Sequence, residues 1–155
     1  MVHTTRVYSE YRSAAFTEAR VIRPLELASH SIAAAGISLI PAISREFVGA
    51  DKLWMGMTVL EGGSSTGPHH HGETETGVYL VAGRLRVRWG ERLEFEAELE
   101  AGDLLFIPPH LPHEVLNESI DEPAVWVVAF SGGKVYIPLE PDINGIYQPD
   151  PSGVF

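Results

Sequence analysis

Cysteine is absent from all 155 residues of the chain. That absence excludes thiolate metal ligands, iron–sulfur clusters, a cysteine nucleophile and any disulfide framework, and it leaves His, Asp and Glu as the strong ligands available. Basic residues are also scarce: 11 Lys and Arg stand against 21 Asp and Glu, a formal net charge of −10. Nucleic acid and anionic membrane surfaces, which both demand a basic face, are therefore poor partners. Long apolar runs are missing too. The longest, Ala33 to Ile40 and Ala124 to Phe130, fall far short of a membrane span, and the N-terminal MVHTTRVYSEYR has no apolar segment before a cleavage site. These features predict a soluble, cytoplasmic protein, and the length suits one domain over residues 1–155.

What is present is a succession of short apolar or alternating segments separated by turn residues. Leu53 to Leu60, Gly77 to Val81, Arg84 to Trp89, Leu93 to Leu99, Leu104 to Ile107, Glu114 to Asn117 and Ala124 to Phe130 each read as a strand. Within Arg84 to Trp89 the apolar Leu85, Val87 and Trp89 alternate with three arginines, the pattern of a strand with one wet face carrying cross-strand ion pairs. Strands at this spacing, joined by Gly and Pro turns, indicate an all-β sandwich or barrel. Upstream, Leu25 to Ala35 is expected to form a short helix; downstream, residues 131–155, with Pro138, Pro141, Pro149 and Pro151, are expected to form an extended arm packing on the barrel or on a neighbouring subunit. Trp54, Met55, Met57, Tyr79, Phe106, Trp126 and Val128 are candidate core residues, with Tyr79 also a candidate acid or hydrogen-bond donor.

Three of the seven histidines stand in a row in Pro68-His69-His70-His71-Gly72-Glu73-Thr74-Glu75. In an extended chain residues two apart share a face, so His69 and His71 point together and His70 points away. Two imidazoles on one face are half a metal site. Some forty residues on, in GDLLFIPPHLPHEVLN, His113 follows two proline-shaped turns and opens a strand, a natural place for a third. His110, three residues earlier, is a candidate pocket-lining or acid–base group, although a position on the bend in contact with solvent is the simpler reading.

At this point the chain resembles the cupin superfamily. Gly63, His69 and His71 match the first cupin motif, and Gly102, Pro108, His113 and Asn117 match the second, with His110 where that family usually has glycine. The resemblance covers roughly residues 53 to 130 and implies a double-stranded β-helix, or jelly-roll barrel, with the N-terminal segment 1–52 supplying extra strands and a short helix. It also implies a homodimer and one divalent transition metal, held by His69, His71 and His113 with a carboxylate. Asn117 would have a structural hydrogen-bonding role.

The carboxylate is where the patterns conflict. Counting forward from His71 gives Glu75, whereas counting back from Gly83 gives Thr76. Either a β-bulge near Thr76-Gly77 absorbs one residue and Glu75 is the ligand, with Glu73 as the alternative, or the site is three-histidine with a weak or absent fourth ligand. Such a donor set suits Fe, Mn, Co, Ni, Cu or Zn, with iron slightly favoured. The expected function is a metal-dependent enzyme on a small oxygenated molecule, by dioxygen-dependent cleavage of an enol, diketone or phenolic ketone. Redox-neutral Lewis-acid chemistry and a non-catalytic ligand-binding module are the alternatives, since this fold hosts many activities.

Overall fold

In the computed structural model, which describes residues 18–150, the elements follow in the order α1 (Pro24–Ser29), β1 (Ile32–Ala34), β2 (Ile37–Ile43), α2 (Arg45–Val48), β3 (Leu53–Leu60) and β4 (His69–His70). They continue with β5 (Thr76–Ala82), β6 (Arg84–Trp89), β7 (Phe95–Glu100), β8 (Leu104–Ile107), β9 (His113–Leu116), β10 (Ala124–Ser131), β11 (Ile137–Pro141) and β12 (Tyr147–Pro149). Two antiparallel sheets result, ordered β1-β2-β3-β10-β5-β8 and β12-β11-β4-β9-β6-β7. This is the all-β architecture that the strand spacing implies and, more specifically, the jelly-roll that the cupin resemblance implies. No helix among the described residues is long and apolar enough to cross a membrane.

The inner faces of the sheets meet in one apolar core. Trp54 and Leu60 of β3, Val78 and Leu80 of β5, Leu85 and Val87 of β6, Val115 of β9 and Trp126, Val128 and Phe130 of β10 are all buried there. Leu60 and Leu80 are wholly inaccessible, and each such leucine contributes about 2 kcal/mol through the area it removes from water.

The strict alternation that fills the core also sorts the expected core residues, and it corrects part of that set. Trp54, Trp126 and Val128 point inward, whereas Met55, Met57, Tyr79 and Phe106 fall on the opposite parity and lie on the outer face of the first sheet. Cross-strand registers align Ile40, Met57, Val127, Tyr79 and Leu104 in one row across five strands, so this outer face is apolar. The outer face of the second sheet is the reverse. There Arg86 bonds Glu96, Glu98 and Glu118, Arg84 pairs with Glu100, and Arg88 with Glu114, the ion-pair face expected from the alternating arginines.

One further expectation is corrected at the N-terminal end of the barrel, and one is made more specific at the C-terminal end. The helix predicted over Leu25 to Ala35 stops at Ser29, because Ala35 and Gly36 both take positive φ (47° and 81°) and turn β1 back on β2 as a two-residue hairpin. At the C-terminal end, the expected extended arm contains the β11–β12 hairpin, and β11 pairs with β4 through Ile137↔His70 and Pro138↔His69. The segment predicted as an arm thus supplies strands to the sheet that carries the histidines.

Candidate metal centre

His69 and His113 are direct cross-strand partners on β4 and β9, and both are buried. His71 lies just past the end of β4, on the same side as His69, where Gly72 (φ 60°) then turns the chain away. The three rings stand close together: centroids are 4.2 Å apart for His69 and His113, 4.8 Å for His69 and His71, and 5.0 Å for His71 and His113. One nitrogen from each lies within 4.8 Å of the others. That is slightly wider than the roughly 4 Å possible for two nitrogens each ~2.1 Å from one ion, so small ring rotations close the set.

The hydrogen bonds fix which nitrogen each ring offers. Nδ1 of His69 contacts the Gly67 carbonyl (2.8 Å), Nδ1 of His113 the Leu111 carbonyl (2.8 Å), and Nδ1 of His71 the Val135 carbonyl (2.6 Å). A carbonyl oxygen can only accept, so each Nδ1 carries the proton and each Nε2 keeps its lone pair. Burial keeps the rings neutral, holding His69 down to about 2, His113 to about 4, and His71 below the usual histidine value. Three neutral imidazoles of one tautomer are a donor set for a divalent transition metal, and the residues present fit such an ion.

The expected carboxylate does not join them. Glu75 is exposed, and its backbone N–H and carbonyl are tied to Ser131 on β10; Glu73 is exposed on the rim. The conflict between the two motif counts is resolved by the position of the irregularity. Registers run unbroken at Thr76 and Gly77 against both neighbouring strands, and the shift lies further along β5, between Leu80 and Ala82 opposite Val125 and Trp126. A bulge at Thr76-Gly77 would have turned Glu75 inward. Because the extra residue is taken up near Val81 instead, the inward position belongs to Thr76, which is 1% exposed and whose Oγ1 has no hydrogen-bond partner among the described residues. Leaving a buried hydroxyl without a partner costs about 1–3 kcal/mol.

The two proposed catalytic side chains also lie elsewhere. Tyr79 is on the outer face of β5, between inward Val78 and Leu80, and is 45% exposed. His110 takes a left-handed backbone (φ 60°) on the bend, bonds Glu73 Oε1 through Nε2 at 3.0 Å, and faces the His70 ring at 5.6 Å. His70, expected to point outward, does so in part, and its Nδ1 accepts the Gly72 N–H. His30 is a packing residue, stacked on Phe47 at 3.6 Å, while His3 lies outside the described residues.

Several neighbours of the histidines carried no sequence signal. Tyr136 stacks on His69 at 4.5 Å while its hydroxyl donates to the Thr66 carbonyl, and Phe130 lies 4.8 Å from His71. Thr76 alone could have been found, by counting back from Gly83. A surface cleft of about 610 Å³ lies on the outer face of the second sheet around Arg84, Arg86, Glu98 and Glu118, and its central Arg86 is already bonded by three carboxylates. The cluster that could hold a metal ion lies with the histidines rather than there.

Comparison with known proteins agrees with this geometry. Residues 56–130 match the family model for the Cupin domain. The Escherichia coli (strain K12) ribosomal protein uL16 3-hydroxylase is 31% identical over 128 aligned residues, which span 65% of this chain but only 33% of that protein. TT1209 from Thermus thermophilus is 28% identical with a TM-score of 0.53, covering 63% of this chain and 84% of that one. Oxalate decarboxylase from Bacillus subtilis is similar in fold, with a TM-score of 0.58 at 24% identity, covering 67% of this chain and 27% of that one. A jelly-roll of two antiparallel sheets, both histidine motifs in register and the match over residues 56–130 together place this chain in the cupin superfamily.

Proposed function

We propose that this cupin is a divalent-metal enzyme acting on a small oxygenated organic molecule, with dioxygen-dependent cleavage of an enol, diketone or phenolic ketone as its reaction and iron as its metal. The observation that carries the reading is the convergence of three neutral, tautomer-locked imidazoles with no carboxylate, a set that leaves coordination positions open. A metal bound there supplies Lewis acidity and, as iron, access to dioxygen. The chain's own residues do the rest. His69, His71 and His113 hold the ion, Tyr136 and Phe130 fix the planes of His69 and His71, and the apolar wall that includes Phe130 and Trp54 limits water at the site.

The hydroxylase named for the E. coli relative supports oxygen chemistry, although the shared region is a third of that protein and its substrate does not transfer. Metal analysis of untagged protein, followed by oxygen uptake on a panel of diketones and phenolic ketones, tests the reading. Bound iron with substrate-dependent uptake is expected. Zinc or manganese with no uptake on any member would replace it with redox-neutral Lewis-acid chemistry.

The partner we propose is a second copy of the chain. The outer face of the first sheet carries a row from Ile40 to Leu104 without a charged side chain, with Leu104 79% and Phe106 63% exposed, so two copies can meet there without burying an unpaired charge. Light scattering at micromolar concentration is expected to read twice the chain mass of 17.0 kDa. A single-chain mass would remove the proposal.

A further inference from the structure

Among the described residues the interior of the barrel offers the three histidines no negative charge. Glu73 and Glu75 are exposed, and the one buried glutamate, Glu114, lies on the opposite side of β9 from His113 and is bonded by Arg88 at 2.8 Å. A divalent ion held only by neutral imidazoles keeps its full charge in a low-dielectric interior. Such an ion must draw its counter-charge from whatever fills its open positions.

The unpartnered hydroxyl is in the same region. Thr76 shares the inward face of β5 with Val78 and Leu80, and its register partner on β10 is Phe130, whose ring is 4.8 Å from His71. Its Oγ1 is enclosed and has no protein partner, so it is left with a donor to give. We propose that Thr76 stands where a carboxylate ligand was expected and donates a hydrogen bond to an anionic oxygen of the molecule bound at the metal, so that the centre selects small anionic oxygen chelators, carboxylates or enolates, over neutral ones. This rests on the reading of the three histidines as a metal centre, and it narrows the substrate class of that same site.

The test uses the full chain loaded with Co(II), whose visible spectrum reports its ligands, and oxalate as the anionic probe beside ethylene glycol as a neutral one. Wild type is expected to take up one Co(II) and to change its spectrum with oxalate but not with ethylene glycol. Thr76→Val, which keeps the shape and removes the hydroxyl, should bind Co(II) as wild type does and bind oxalate about 10- to 100-fold more weakly, the range for a charge-assisted hydrogen bond. Thr76→Ser should restore oxalate binding. Thr76→Glu should bind Co(II) more tightly and oxalate more weakly, because it supplies the missing charge from the protein. If wild type binds no Co(II), the metal reading falls and the role of Thr76 falls with it. If Co(II) binds but Thr76→Val leaves the oxalate affinity unchanged, or ethylene glycol binds as well as oxalate, the metal centre stands and this inference is overturned.

Discussion

Replacing His69, His71 or His113 singly by alanine is expected to abolish metal retention, while His70→Ala leaves it unchanged. Among the described residues these three supply the whole donor set, since neither Glu73 nor Glu75 reaches the centre. With only three ligands, the loss of one leaves two imidazoles and no carboxylate to compensate. The loss of affinity should therefore exceed the roughly 10- to 100-fold that removal of an outer-shell partner costs. His70 differs because it extends away from the other rings, accepting the Gly72 N–H and facing His110. Titration of each purified variant with Co(II), alongside a denaturation curve to show that it folds, checks the set. Equal loss in His70→Ala would overturn the strand-parity assignment, and comparable loss in Glu75→Gln would show that the carboxylate does reach the ion.

The second large effect is on stability. Asn117 is 2% exposed, and its side chain makes three hydrogen bonds: Nδ2 donates to the carbonyls of Leu60 (3.0 Å) and Glu122 (2.8 Å), and Oδ1 accepts from the Ser119 N–H (3.0 Å). Its backbone joins the same junction, accepting from the Gly63 N–H and donating to the Ser64 carbonyl. The residue thus ties the end of β9 to the end of β3 and to the loop that leads into β4. Asn117→Ala should cost about 3–5 kcal/mol, combining the lost bonds with the desolvated groups left behind. Urea denaturation of the metal-free protein measures it. A cost below about 1 kcal/mol would mean that water takes over the side chain's contacts.

The strands were largely legible because their cue is local. Alternation in LWMGMTVL and RLRVRW shows in the sequence and again in the burial of β3 and β6. Parity could be read, but not which parity faced inward when both were apolar. Met57 and Tyr79 look as fit for a core as Trp54 and Val78, and only the packing of the second sheet against one side separates them. His69, His71 and His113 could be located because their spacing is fixed by two strands and their turns. Glu75 was misplaced by one residue for a comparable reason. A bulge costs little wherever one strand can kink, and the sequence does not mark whether it falls at Gly77 or at Val81. Val135 and Tyr136 left no trace at all, since their role comes from a long-range strand pairing between β4 and β11.

That pairing also orders events in time. During synthesis residues 69, 71 and 113 leave the ribosome well before residue 135, yet His71 acquires the carbonyl that fixes its proton on Nδ1, and His69 its stacked neighbour, only from the segment 135–136. Until that segment docks, His71 is free to present either nitrogen, and the face of His69 is open to water. The nascent chain therefore holds an unfinished cluster of histidines, and on the proposed metal reading selective capture would be a late step that follows closure of the barrel.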